Sequence, residues 1–255
     1  MAELKALLFD VDGTLADTER DGHRVAFNAA FRDAGLDWDW SVETYGELLT
    51  VTGGKERIRY YIDNYNPDFN VDGDLSEFIA GLHKSKTGFY LQLLREGKIP
   101  LRPGVARLLD EAREAGYVLG IATTTTPENV TILLEATLGA ESIDWFSVIA
   151  AGDIVPAKKP APDIFTYALE QLNLPAEACM AFEDSGNGIK SSVGAGLKTI
   201  VTVNEYTADH DFSDAVLVLD QMGEPENPAT VIKGDLNGEN CLTIQAVEQA
   251  FNSAS

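Results

Sequence analysis

The sequence predicts an α/β fold: a doubly wound, mainly parallel sheet with an inserted helical domain, and three observations lead to it. Short, wholly apolar runs recur along the chain, as parallel strands covered on both faces require. Segments with apolar residues at helical spacing lie between most of these runs, the alternation of a sheet flanked by helices. One long stretch near the N-terminus breaks the alternation and carries helical periodicity with few strand signals.

In chain order, Ala6-Leu7-Leu8-Phe9 is the first apolar run, and it stops abruptly at Asp10. From about Asp17 to about Lys98 the helical pattern takes over, in Val25 to Ala34, Val42 to Leu49, Glu56 to Tyr65 and Leu75 to Leu94. This stretch reads as a helical cap over 17–98, inserted into a Rossmann-like core made of 1–16 and 99–255. Val105 to Ala115 is helical and stops at Gly116; Pro162 to Leu172 and Gly188 to Ala195 read likewise. The later strands are Val118 to Ala122, Trp145 to Ala150, Cys179 to Phe182 and Thr199 to Val203. The tail from Glu205 offers one strand, Ala215 to Leu219, then a polar Gly and Pro segment and a final strand or helix. In a doubly wound sheet ligands bind outside the carboxyl ends of the strands. Asp10, Thr123, Gly152-Asp153 and Glu183-Asp184 each follow a strand, so they are expected to converge there.

Composition narrows the partners. A net charge of -22 over 255 residues works against nucleic acid and anionic membrane, both of which reward clustered Lys and Arg. No apolar run approaches the roughly 20 residues that span a bilayer. Met1-Ala2-Glu3-Leu4-Lys5 leads straight into the first strand without a charged n-region, so a cytoplasmic protein is expected, or a mature organellar one. Two cysteines far apart, Cys179 and Cys241, suit a reducing compartment and read as inert, partly buried thiols. A monomer is expected.

Four segments carry chemistry. Asp10-Val11-Asp12-Gly13-Thr14 sets two carboxylates and a tight turn at one strand end, although Asp and Gly are also ordinary turn residues. Thr123 ends the next core strand with a hydroxyl able to bond a phosphoryl oxygen, or else to cap the following helix. Lys158-Lys159-Pro160-Ala161-Pro162-Asp163 places a lysine before a rigid turn, where its ammonium can be held as a fixed charge; a solvated lysine pair is the alternative. Glu183-Asp184 opens a helix with a second carboxylate pair. With Asp10 it supplies hard oxygen ligands for Mg2+, unless Asp184 serves only as a helix cap.

Taken in order, Asp10-Val11-Asp12-Gly13-Thr14, Thr123, Lys159 and Glu183-Asp184 resemble the motifs of the haloacid dehalogenase superfamily over the whole core. The resemblance implies a phosphoric monoester hydrolase with Asp10 as nucleophile and metal ligand. Asp12 would be the acid/base, lending Mg2+ its backbone carbonyl. Asp184, assisted by Glu183, would complete the protein ligands, while Thr123 and Lys159 would bind the transferring phosphoryl group. An aspartate at position 12 argues against the dehalogenase and phosphonatase branches.

The cap is similar to that of the CbbY group, particularly its plant-type form, in Asp17 to Arg24, Tyr45 to Leu49, Thr52 to Arg57 and Ala80 to Thr87. That group is associated with the Calvin cycle and removes phosphate from xylulose 1,5-bisphosphate, an inhibitor of Rubisco. A bisphosphate needs cations for its second phosphate. Gly53 and Gly54 lead into a helix with Lys55 and Arg57, and Lys86 lies on another. Glu19, His23 and Tyr45 are candidates for sugar hydroxyls, and Thr124 and Thr125 add hydroxyls beside Thr123. A solvated face with a glycine turn is the ordinary alternative for these cap residues. His83 and His210 show no metal-ligand pattern. A mutase resembling β-phosphoglucomutase would share the core motifs but exclude water from its phosphoaspartate. A non-catalytic sugar-phosphate-binding protein would be expected to lose Asp10, Asp12 or the metal pair.

Overall fold

In the computed structural model, which describes residues 3–51 and 53–253, the first apolar run forms strand β1 (Ala6–Phe9), buried at all four positions. Met1 and Ala2 of the N-terminal segment, and Thr52 of the glycine-turn segment, lie outside the described residues. After β1 come a π-helical turn (Thr18–His23) and helices α1 (Arg24–Asp33), α2 (Val42–Leu48), α3 (Gly54–Tyr65) and α4 (Leu75–Arg95). Then follow α5 (Val105–Glu114), β2 (Val118–Ala122), α6 (Pro127–Leu138), β3 (Phe146–Ala150), α7 (Asp163–Leu172), β4 (Cys179–Glu183), α8 (Gly186–Gly194), β5 (Lys198–Thr202), β6 (Leu217–Leu219), β7 (Val231–Lys233) and α9 (Ile244–Asn252).

The chain divides into two units, Met1–Asp17 with Pro100–Ser255, and Thr18–Ile99. In the first, the seven strands stand in the order β3-β2-β1-β4-β5-β6-β7, parallel throughout except for β7, which runs antiparallel to β6. The fold class is the one expected. Strand order reverses on either side of β1, and β1 and β4 flank that switch point, the place outside the carboxyl ends of the strands where sheets of this kind bind ligands. Phe9 pairs with Ile121 on β2 and with Phe182 on β4, so the residue that follows β1 stands level with the ends of both neighbours. Beneath it the rings of Phe9 and Phe182 stack with centroids 4.4 Å apart.

The helices form for legible reasons. In α5, Val105, Leu108, Leu109 and Ala112 make a buried stripe at helical spacing, and Gly116, with φ of 83°, ends the helix in the left-handed region. Trp145 falls in a 3-10 turn (Ala140–Trp145) that precedes β3, so that strand begins one residue later than its apolar pattern suggests.

The second unit has its own core. Phe27, Phe31, Trp38, Trp40 and Tyr45 are all buried there, with Phe27 and Trp40 centroids 4.7 Å apart. Asp74 caps α4 by accepting from the amides of Ser76 and Glu77. Periodicity gives no sign of the π-helical turn that carries Glu19 and His23, a form of helix found often at functional sites. No helix among the described residues is long and apolar enough to cross a membrane.

Candidate active site

The ends of β1, β2 and β4 bring Asp10, Thr123, Glu183 and Asp184 to one edge of the sheet, and all four side chains are buried. One ligand oxygen from each of Asp10, Glu183 and Asp184 lies within 4.8 Å of the others. Lys159 reaches into this group: its ammonium donates to Asp10 Oδ1 and Glu183 Oε1, each at 2.6 Å, and to the carbonyl of Ala122 at 2.9 Å. Its neighbour Lys158 instead ties the loop after β3, donating to the Gly152 carbonyl at 2.7 Å and pairing with Asp153. The two lysines of one motif therefore divide into an inward charge and a loop tether.

The ordinary readings of Thr123 and Asp184 as helix caps go to other residues. Thr126 caps α6, its hydroxyl accepting from the amide of Asn129, while Thr123 is fully buried and accepts from the amide of Thr125 at 3.3 Å. Thr125 accepts from Asn129 Nδ2, and Thr124 is exposed. At α8 the cap is Ser185, which accepts from the Gly188 amide. Asp184 is left to the carboxylate group. Its Oδ2 accepts from Asn204 Nδ2 at 2.8 Å, a contact that sequence reasoning passes over. The signal was present: Asn204, like the recognised residues, is polar and lies just beyond a strand end. His210 accepts from the amide of Gly186, a local structural role.

Asp12 is half-buried, in a turn closed by the Gly13 amide donating to the Ala16 carbonyl at 2.8 Å. Its carboxylate is outside the three-residue oxygen group. Arg102, another residue that the sequence leaves unmarked, clamps this turn. It donates to the carbonyls of Gly13, Thr202, Val203 and Asp220 and pairs with Asp17. The turn after β1 is thereby fastened to the ends of β5 and β6.

Electrostatics show what the group lacks. Burial lifts the Asp184 carboxyl well above its usual range, and the anions of Asp10 and Glu183 add to the shift. Burial likewise raises Glu183, where Asp10 adds to the shift and Lys159 opposes it. Burial alone would lower Lys159, but Asp10 and Glu183 outweigh it and hold the ammonium protonated. Three buried carboxylates against one ammonium leave uncompensated negative charge among hard oxygen donors. That donor set fits a divalent cation such as Mg2+.

The other predicted residues lie in the second unit. Tyr45 donates to Glu19 Oε2 at 2.5 Å, and Arg57 Nη1 donates to the Tyr45 hydroxyl at 2.8 Å. Arg57 also donates to the carbonyls of Leu48 and Val51, so it braces α2 as well as presenting charge. Lys86 is buried, its ammonium 2.8 Å from His23 Nδ1 and 5.0 Å from the ring centre of Phe27. A charged ammonium can only donate, so His23 Nδ1 accepts and the ring proton belongs on Nε2. Burial, then the nearby cations Lys86 and Arg57, hold His23 well below its ordinary pKa. Lys55 is exposed, and Gly53 and Gly54 begin α3.

A profile of the haloacid dehalogenase-like hydrolases matches residues 4–196. The chain is 51% identical to protein CbbY of Rhodobacter capsulatus over 213 residues, which is 84% of this chain and 91% of the relative. It is 47% identical to the plasmid CbbY protein of Cupriavidus necator over 225 residues, 88% of either chain. Among solved structures it is similar to a mutant CbbY from Rhodobacter sphaeroides in complex with xylulose-(1,5)bisphosphate. The TM-score is 0.71 and the identity 46%, over 87% of this chain and 96% of that one. With that match extending from β1 through α8, across the strands whose ends carry the carboxylate and lysine group, this chain belongs to the haloacid dehalogenase-like hydrolases, a family of enzymes.

Proposed function

We propose that this enzyme is a Mg2+-dependent phosphatase that takes phosphate from a small sugar bisphosphate, xylulose 1,5-bisphosphate, by way of an aspartyl-phosphate on Asp10. The observation that carries the chemistry is the buried group of Asp10, Glu183 and Asp184, with Lys159 donating to two of the three carboxylates. Asp10, Glu183, Asp184 and the backbone carbonyl of Asp12 would hold Mg2+, which when bound supplies positive charge against the repulsion between phosphate and an anionic nucleophile.

Asp10 attacks phosphorus, the bond to the sugar oxygen breaks, and that oxygen leaves with the electron pair. Asp12, protonated, gives it a proton. In the second half-reaction Asp12, now a carboxylate, takes a proton from water as the water oxygen attacks phosphorus. The bond to Asp10 breaks, inorganic phosphate departs, and both aspartates return to their starting states. Lys159 holds Asp10 in place and offsets charge on the transferring group, and Thr123 offers its hydroxyl to a phosphoryl oxygen.

The bisphosphate substrate is supported by similarity to the CbbY that was solved with xylulose-(1,5)bisphosphate, and by the polar residues of the second unit. There Lys55, Arg57 and Lys86 supply cations for the phosphate that does not react, with Gly53 and Gly54 at a helix start. Glu19, His23 and Tyr45 supply partners for sugar hydroxyls, and Thr124 and Thr125 extend the hydroxyl set in the first unit.

The test is phosphate release with Mg2+ from xylulose 1,5-bisphosphate, ribulose 1,5-bisphosphate and phosphoglycolate, alongside conversion of β-glucose 1-phosphate to the 6-phosphate. The expected outcome is strong preference for the xylulose bisphosphate, lost in Asp10→Asn. Isomerisation of the glucose phosphate without phosphate release would replace the phosphatase by a mutase.

A further inference from the structure

We propose that Asn204 is a positioning residue for the carboxylate of Asp184, its side-chain amide fixing that carboxylate's orientation and so setting the enzyme's affinity for a divalent cation. The inference rests on the reading that Asp10, Glu183 and Asp184 hold Mg2+.

The three carboxylates are not held alike. Asp10 and Glu183 share the ammonium of Lys159, whereas Asp184 Oδ2 accepts from Asn204 Nδ2 at 2.8 Å. Asn204 follows β5 by two residues, and the turn beyond the strand pins it from three directions. Its Oδ1 accepts from the amide of Tyr206 at 2.9 Å, its own amide donates to Thr207 Oγ1 at 3.0 Å, and its carbonyl accepts from the Thr207 amide at 3.1 Å. Turning the side-chain amide over would set its oxygen against the Asp184 carboxylate and its NH2 group against the Tyr206 N–H. Both contacts would be repulsive, so the turn fixes which end faces the carboxylate. Behind it, Arg102 takes the carbonyls of Thr202 at 3.0 Å and Val203 at 2.6 Å, steadying the chain that leads to Asn204.

Beside this contact stands Gly13, with φ of 83°. A Cβ there would come within 2.1 Å of Asp184 Oδ2 and 2.8 Å of Asn204 Nδ2. Bare backbone at Gly13 thus leaves room for the carboxylate oxygen and the fixed amide to meet, and holding that oxygen restricts rotation about the last side-chain bond. A neutral donor is the group suited to this place. A cation would compete with the metal for the carboxylate, and a second anion would repel it. Partners that orient a metal ligand in this way typically change metal affinity by about 10- to 100-fold when removed.

Isothermal titration calorimetry of Mg2+ against the full chain, without substrate, tests this directly. Asn204→Ala is expected to bind Mg2+ about tenfold more weakly than the parent. Its metal-free unfolding midpoint should stay within a few degrees, and kcat should recover at high Mg2+. Thr207→Val removes the hydroxyl that steadies Asn204 and leaves the amide itself in place. It gives a second reading should the first variant fail to fold, and a smaller weakening in the same direction is expected. Wild-type Mg2+ affinity in both variants overturns the inference. Absence of saturable Mg2+ binding by the parent protein overturns instead the metal reading on which it rests.

Discussion

Gly188 leaves room for a carboxylate. A Cβ at this position would stand 1.8 Å from Glu183 Oε2 and 2.2 Å from its Cδ, and Glu183 is 1% exposed with its other oxygen held by Lys159. Two effects of Gly188→Ala therefore oppose each other. Alanine within α8 gains up to about 1 kcal/mol of helix propensity, while overpacking a rigid site costs about 1–3 kcal/mol. Displacement of Glu183 also breaks its pair with Lys159, so the clash is expected to win. The variant should unfold at lower urea and lose most of its kcat. Net stabilisation with full activity would mean that Glu183 can swing aside. Residues of this kind show where the sequence was readable and where it was not. Strand ends were legible as places where Asp10, Thr123 and Glu183 accumulate. Which hydroxyl caps which helix was not, since Thr123 and Thr126, or Asp184 and Ser185, offer the same chemistry a few positions apart and only backbone geometry separates them.

Among the elements, most strands and helices, β6 included, form where apolar periodicity places them; it leaves α6 unmarked, and it tells little of the rest of the tail. Its second strand, β7, is three exposed residues that run antiparallel at the edge of the sheet, too short for any alternation to show. The tail is held to α5 by contacts between residues more than a hundred positions apart, which no local pattern reveals. Arg107 donates to Glu224 Oε2 at 3.1 Å and to the carbonyls of Gly223 and Leu242 at 2.8 and 3.2 Å, and Glu111 accepts from the Ile244 amide at the start of α9. Arg107 also donates to Glu111 Oε1 at 2.6 Å, so replacing it by Ala takes a donor from two carboxylates and two carbonyls at once. A loss of about 2–3 kcal/mol is expected, since hydrogen bonds to charged groups are each worth about 1.5–3 kcal/mol and Arg107 is partly solvated. Urea unfolding measures the total. Hydrogen exchange should place the loss in residues 220–252, and unchanged protection there would mean that apolar packing alone holds the tail.

At the scale of the whole molecule, each of the two units contains a buried titratable group, and the two shifts run in opposite senses with pH. His23 has its pKa depressed by burial and by Lys86 and Arg57. Between its folded value and about 6.5, the unfolded chain binds a proton there that the folded one does not, so stability is present above that range and is lost as pH falls through it. Asp184 has its pKa raised by burial and by Asp10 and Glu183. Above the ordinary carboxylate range, near 3.9, the folded state is the one that binds the extra proton, so without metal its contribution is lost as pH rises through the folded value. A divalent cation held by the ionised carboxylates would reverse this loss, stabilising the folded state by mass action. Hydrogen exchange at pH 5.5 and 7.5, corrected for intrinsic rates and run with and without Mg2+, separates the two units. Peptides from 18–99 should lose protection at pH 5.5 with or without Mg2+, and His23→Gln should flatten that loss. Peptides from 179–188 should gain protection from Mg2+ chiefly at pH 7.5. An Mg2+ effect as large at pH 5.5, below the value of about 7 to which Glu183 is raised, would mean that the carboxyls of this group are already ionised there and that their burial is compensated within the protein.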